Sequence, residues 1–514
     1  MNRAVRLATT LLLSLSFGGT PLHPAEHPVF VILWFDAEDY LLPADDDATK
    51  RLCDLLTARS VRATFKLVGE KARVIERRGR SDVLAALRKH DIGYHANFHS
   101  VHPTPAEYLA ECGWSDGVAE FVRREGGGAA DVRRILGVER LSCYGQPGSS
   151  WAPQTLGGLD GIVATPHGVP CYVDEGSHVG ISEAPFWYCG ALTVYKMGSN
   201  VTRMDLHREE ALAEATDRFG KIHARLRSQG GGLVSVFYHP CEWVHAEFWD
   251  GVNFSRGSNP PREEWKPPRQ LPPEKTEAAF ARFERYVDFM RSLPGVKFVT
   301  ASDLPELYPD PLRPSAIDAA AIEPLARRVA EMGLVDFLQD AQGRFHSPAD
   351  LLTELIEFLG GAIDEKKPPG RLRLSAVLGP SEPPPKTEVD SLDWPAFRDA
   401  LVDARAAIRA RRQIPSPVFA GVKKIAPADF LVACARAAVR VIDSAKAGKP
   451  LFPERIEVPS GTAVATEKHV AQDTPGLFGG WIIHKEGFRA PRIMEQARLQ
   501  AWTLKPAQLL PNAR

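Results

Sequence analysis

VFVILWFDAEDY, residues 29–40, begins with seven apolar residues and ends with three carboxylates in four positions, Asp36, Glu38 and Asp39. A short, β-branched and aromatic apolar run of this kind reads as a strand buried on both faces. An ionised carboxylate is costly to bury without a partner or a metal. The carboxyl end of a parallel strand is where α/β folds place their active sites. An acidic turn that merely ends a strand would look the same, so the motif needs company.

Outward from this strand the pattern alternates. Residues 46–59 have helical spacing, VRATFKLVG (61–69) reads as a strand, and SDVLAALRKH (81–90) as a helix with a Ser-Asp start. IGYHANF (92–98) and GGLVSVFYHP (231–240) read as strands, EKTEAAFARFERYVDFMRSL (274–293) as a long amphipathic helix, and VKFVTASDLPELY (296–308) closes the block. Strand–helix alternation predicts an α/β domain over residues 28–309, a mainly parallel sheet with helices outside. Residues 242–273, rich in Pro and Trp, break the rhythm and read either as a cleft wall or as a surface excursion.

The chain has 514 residues, which suggests two or three domains. Lys and Arg number 63 against 64 Asp and Glu, a formal net charge of −1, which argues against nucleic acid as a partner. Arg3 and Arg6 precede an apolar run from Leu7 to about Phe17, followed by small residues and prolines. Residues 1–25 therefore read as a signal peptide and the protein as exported, periplasmic or secreted. The run falls short of the ~20 residues a membrane helix needs, and no later segment reads as transmembrane. Seven cysteines include no C-x-x-C pair, so no thiolate zinc site is indicated.

After a Pro-rich linker at 308–315, residues 316–514 read as a mainly helical region. HSPADLLTELIEFLGG (346–361) and IAPADFLVACARAAV (425–439) share a Pro-Ala-Asp start and an apolar helical period, so a duplicated module is expected at 346–380 and 425–460.

The chemistry concentrates in HDIGYHANFHSVHP (90–103), which holds His90, His95, His99 and His102. His95 and His99 are four apart, so on a helical turn their rings would share one face and chelate one ion. Two imidazoles and a carboxylate leave positions open for water and substrate, as a catalytic metal requires.

FDAEDY (35–40), ATFKLVGE (63–70) and HDIGYHANFHSVHP together resemble, in order and spacing, the polysaccharide deacetylase (NodB homology, carbohydrate esterase family 4-like) family. CYGQPGSSWAPQ (143–154) is similar to that family's groove loop, and VFYHP (236–240) to its strand ending in a functional His. The resemblance spans roughly residues 28–305. It implies a distorted (β/α) barrel and a divalent metal, most often zinc. By resemblance His95 and His99 are ligands, with Asp39 as the third and Glu38 as its rival. Asp36 matches the catalytic base and His239 the general acid. Tyr144, Gln146 and Trp151 are expected to bind substrate, and Trp187 and Tyr188 to stack on sugar faces, although for each aromatic taken singly ordinary packing is the stronger reading. Backbone N–H groups near Gly148 to Trp151 are expected to hold an oxyanion. The family's groove-loop Arg is absent, Gly145 and Gln146 standing in its place. Asp174, Glu175 and His178 are further pocket candidates.

The implied function is a metal-dependent hydrolase removing N-acetyl or O-acetyl groups from an envelope polysaccharide or related amide. Two alternatives stand beside it: an impaired relative that only binds glycan, and a metal-free glycosidase using paired carboxylates. The C-terminal copies resemble pseudomurein-binding-type repeats, which implies binding to the cell envelope; a plain duplicated helical fold is the alternative.

Overall fold

A computed structural model describes residues 27–181, 183–313 and 316–510; the expected signal peptide lies outside them. The strand that anchors the reading is β1 (Val29–Ala37), with all nine residues buried. It pairs in parallel with β2 (Thr64–Leu67), with β9 (Gly232–Tyr238) and, along its first half, with β10 (Val296–Val299). Beyond β2 the sheet continues through β3 (Asp91–Tyr94), β4 (Cys143–Tyr144), β5 (Cys171–Val173), β7 (Ala191–Val194) and β6 (Phe186–Tyr188), and β8 (Val201–Thr202) flanks β9. All these pairings are parallel except those of β6. Helices Pro43–Ala58, Gly69–Arg77, Ser81–Leu87, Trp114–Leu136, Ala211–Ser228 and Pro273–Ser292 connect the parallel strands. The parallel sheet with helices outside is what the strand–helix alternation predicts, and its form is the distorted (β/α) barrel that the resemblance implies.

The C-terminal region contains two copies of one element sequence. The first runs through strand Ile317–Asp318, helix Ile322–Ala330, a hairpin ending at Phe345–His346, helix Pro348–Glu365 and strand Arg371–Leu372. The second runs through strand Ser391–Asp393, helix Trp394–Arg411, hairpin Val418–Ala420/Lys423–Ile425, helix Pro427–Lys446 and strand Arg455–Glu457. In each copy the first strand pairs antiparallel with the last. The two Pro-initiated helices start 79 positions apart (348 to 427), the spacing read from the sequence. The copies begin earlier than 346 and 425, because a preceding helix and hairpin belong to each unit.

The expected boundary at residue 309 does not hold for the end of the chain. Strand Lys505–Pro506 pairs antiparallel with β6 and extends the barrel sheet. Phe478, Ile493, Met494, Ala497 and Leu504 join the barrel's hydrophobic core, while Trp502 packs into the core of the repeats. Residues beyond about 470 thus belong largely to the barrel, and the repeats form an insertion within it. The seven cysteines are free. Among the described residues no helix is long and apolar enough to cross a membrane.

Candidate metal centre and cleft

The strand ends converge. β1 delivers Asp36 and Glu38, β2 Lys66, and the residues just after β3, β4, β5 and β9 are His95, Gln146, Asp174 and His239. With Arg203, Phe237, Phe248 and Trp481 among others, these residues, apart from Lys66, line a cavity of about 310 Å³. Asp36 and Glu38 share a face because side chains alternate along a strand.

Glu38, His95 and His99 form the group that could hold a metal. Their ligand atoms all lie within 4.8 Å of one another, and all three are buried. Glu38 Oε2 stands 3.4 Å from His95 Nε2 and 2.9 Å from His99 Nε2. The two histidines do not lie on a helix: Ala96 and His99 adopt left-handed backbone angles (φ 65° and 57°), and this turn, rather than helical spacing, brings the rings to 4.9 Å. Their tautomers follow from their outer partners. His95 Nδ1 lies 3.0 Å from the carbonyl of Gly145, an acceptor, so Nδ1 carries the proton and the Nε2 lone pair faces Glu38. Ser100 Oγ donates to Asp250 Oδ2 (2.8 Å) and accepts from His99 Nδ1 (2.7 Å), which leaves the His99 Nε2 lone pair inward and without a donor. Two inward imidazole lone pairs and a carboxylate are the donor set of a catalytic zinc site with an open position. Without a cation, burial pushes the Glu38 carboxyl above its ordinary range, and burial holds His95 well below its own.

Asp39 does not face this cluster. Its Oδ2 lies 2.9 Å from His245 Nδ1, its Oδ1 accepts from the Leu41 N–H, and its backbone carbonyl accepts from Lys71. One step past Glu38, it points to the opposite side. The group that could hold a metal thus contains Glu38 and not the expected Asp39.

Asp36 has a cationic partner that the sequence reading missed. Lys66 sits opposite it in the β1–β2 register and is fully buried, its Nζ 2.9 Å from Asp36 Oδ1, 3.6 Å from Asp174 Oδ2 and 2.8 Å from the Val173 carbonyl. Burial pulls the ammonium down, but Asp36 and Asp174 outweigh it and hold Lys66 above its ordinary value. Burial pushes Asp174 up to about 7. Two glycines make room: a Cβ at Gly93 would lie 2.9 Å from Lys66 Cγ, and one at Gly145 would overlap the ammonium itself. The loop after β4 thus leaves room beside Asp36, and the positive charge there comes from β2.

His239 stands across the cleft, with Nε2 3.8 Å from Asp36 Oδ2 and Nδ1 2.8 Å from Glu242 Oε1. Glu242 is in turn paired with Arg203. Burial opposes protonation of His239, yet the Glu38 and Glu242 carboxylates raise it to about 9, so it carries a proton at neutral pH.

Of the expected substrate-binding residues only Gln146 lines the cavity. Tyr144 is wholly buried against Phe121, Tyr172 and Tyr94, and Trp151 stacks behind His178 at 4.9 Å with Tyr188 and Tyr195 beyond. Trp187 and Tyr188 also lie outside it, whereas Asp174, Glu175 and His178 all line it. Of the candidate oxyanion donors, Ser150 and Trp151 N–H groups are spent within their own turn, and Gly148 and Ser149 remain at the cavity wall. Residues 242–273 do build a cleft wall, through Phe248 and Asp250. The signal for Lys66 was present: a lysine between Phe65 and Leu67, the one charge in Thr64–Leu67. Trp481, 231 positions from its partner Asp250, left no such signal.

No family model matches the sequence, and no curated protein does. Solved structures are similar to it. One is a Mycobacterium smegmatis protein assigned as a polysaccharide deacetylase (14% identity, 55% of this chain and 91% of that one, TM-score 0.34). Another is the Puue allantoinase (11%, 58% and 97%, TM-score 0.36). A third, from Pseudomonas aeruginosa PAO1 and likewise assigned as a polysaccharide deacetylase, gives 12%, 54% and 90%, with TM-score 0.33.

Proposed function

We propose that this protein is a metal-dependent hydrolase that removes N-acetyl or O-acetyl groups from an envelope polysaccharide or a related amide. The observation that carries the reading is the Glu38–His95–His99 donor set beside the Asp36–Lys66 pair, with a protonated His239 opposite. The donor set suits a divalent cation, zinc foremost. When bound there, such an ion lowers the pKa of water and polarises an acyl carbonyl. Asp36 accepts the water's proton, as a general base must. Lys66 stabilises Asp36 in its charged form in a buried site. His239 hands its proton to the departing nitrogen or oxygen, with Glu242 holding the ring in place. The Gly145 carbonyl and the Ser100–Asp250 pair orient the two imidazoles.

The alternative of an impaired glycan binder rested on the missing Arg, and Lys66 removes that reason. Export, with action in the periplasm or outside the cell, follows from residues 1–25, and attachment to the envelope is the proposed role of the repeats. The test is metal content and acetate release of the purified protein beside a His95→Ala/His99→Ala variant. About one ion per chain, lost in the variant, with acetate release abolished by chelation and restored by Zn²⁺, is the expected result. No metal even after reconstitution, or chelator-resistant turnover, would sink the reading.

A further inference from the structure

The cleft is closed on one side by a segment from the far end of the chain. Residues 469–488 return from the repeats and cross three loops in turn. Ala471 N–H donates to the His178 carbonyl (2.8 Å) in the loop after β5. Ser149 Oγ, in the loop after β4, donates to the Phe478 carbonyl (2.5 Å). Beyond β9, Trp481 Nε1 donates to Asp250 Oδ2 (2.7 Å), and the Arg256 and Gly257 N–H groups donate to the carbonyls of Ile482 and Ile483. Trp481 packs directly on Gly148, where a Cβ would lie 2.9 Å from its own, and edge-on to Phe248 at 4.9 Å. Leu477, Gly480 and Trp481 line the cavity.

Behind this segment two residues of the cavity lining, each 1% exposed, hold a buried polar atom without a partner, His178 Nε2 and Gln146 Oε1. The Tyr195 hydroxyl lies 2.7 Å from His178 Nδ1 and also accepts from the His178 backbone N–H, so Nε2 is the ring nitrogen left without a partner. Burial keeps this ring neutral. Gln146 Nε2 donates to the Gly148 carbonyl and to Asp174, which leaves Oε1 as a free acceptor. A ring nitrogen and an acceptor oxygen, both dehydrated, suit a hydroxyl or an amide of a ligand, and leaving them unpaired is costly. On the opposite side Arg203 is shared with a second surface depression that runs along Met204 to Ala215, so the cleft continues there.

We propose that the site is closed at the end walled by His178, Gln146 and Trp481, and takes the terminal acylated sugar of a chain, or the free monosaccharide, rather than an internal residue. This rests on the hydrolase reading above and specifies its substrate. A cavity of about 310 Å³ lies at the small end of the roughly 300–1,000 Å³ range of ligand sites, room for one sugar ring and its acyl group. The remainder of a longer chain leaves past Arg203.

The experiment uses the full-length, zinc-loaded protein on N-acetylglucosamine, its β-1,4 oligomers up to the hexamer, and insoluble chitin, with deacetylated positions mapped by mass spectrometry. Binding of monomer and hexamer is measured in parallel on the Asp36→Asn chain. The expected result is efficiencies within about threefold from monomer to hexamer, acetyl loss at a chain end alone, and little turnover of chitin. Replacing residues 476–481 by a Gly-Ser segment of equal length is expected to admit internal residues. His178→Ala and Gln146→Ala are each expected to raise KM roughly tenfold with kcat and its pH profile unchanged. Internal deacetylation by the unmodified protein, or efficiency climbing steeply with length, overturns the closed-end proposal and leaves the hydrolase reading standing. Absence of both binding and acetate release at every length overturns the hydrolase reading on these sugars, and the proposal with it.

Discussion

Replacing Lys66 with Met removes the one ammonium that faces both Asp36 and Asp174, while keeping a flexible side chain of similar length. At an effective dielectric of about 20, an ion pair at 2.9 Å is worth about 6 kcal/mol and one at 3.6 Å about 5 kcal/mol before desolvation is charged against them. After that cost, breaking a buried pair by removing one partner leaves about 3–5 kcal/mol of penalty. The carboxylates can escape most of it by taking up protons, and a protonated Asp36 cannot act as a base. At about 1.4 kcal/mol per pH unit, the acidic limb of the rate profile is expected to move upward by about 2 to 3 units, with activity recovering in alkaline buffer. The assay is acetate release against pH, with metal content and melting temperature measured on the same preparations. A uniform loss of rate with an unmoved profile, alongside a lower melting temperature, would show that Lys66 merely packs and would refute the reasoning.

The ligand assignment is checked by a pair of variants: Glu38→Gln is expected to lose metal, whereas Asp39→Asn keeps it and unfolds about 1–3 kcal/mol more easily, because His245 loses its buried carboxylate partner. Metal analysis and urea unfolding decide it, and metal loss from Asp39→Asn alone would reverse the assignment. His178 predicts an acid sensitivity. Burial depresses its folded pKa to about 3, below the unfolded value near 6.5, so its contribution is complete above pH 6.5 and is lost as pH falls toward 3, at up to about 1.4 kcal/mol per pH unit. Unfolding free energies between pH 7.5 and 5 should fall less steeply in His178→Asn, and equal slopes would contradict this. A chain cut after Pro309 is expected to be insoluble or molten, since it loses Phe478, Ile493, Met494 and Leu504 from the barrel core. A sharp cooperative melt of that fragment would argue otherwise.

The barrel and half of the site were readable because they depend on local pattern. Buried parallel strands announce themselves as apolar runs, and the residues that follow them, Asp36, His95 and His239, sit at the cavity as expected. The choice between Glu38 and Asp39 was open to the same argument: positions 36 and 38 share a face of an extended chain and 39 does not. Lys66 was likewise visible as a charge inside a strand that pairs in register with β1. The aromatic assignments failed for a general reason. A large ring near a strand end is worth more in the core than at the surface, so Tyr144 and Trp151 went inward. The contribution of Trp481 could not be read, since it depends on a contact across 231 residues that only the folded chain creates.

The pairing of Lys505–Pro506 with β6 has a bearing on how the molecule is made. During synthesis the metal-binding face can assemble once β9 and His239 have emerged, but the cleft's far wall is encoded more than 200 residues later, beyond both repeats. A growing chain therefore passes through a stage in which the Glu38–His95–His99 group exists without the Trp481 wall and the sheet edge at β6 is bare. Such edges invite pairing with other chains. The Asp310–Lys505 ion pair (2.9 Å) joins the point where the repeats depart to the point where the chain rejoins the sheet. It acts as a clasp that fastens only after both repeats have been made and the chain has returned to the sheet.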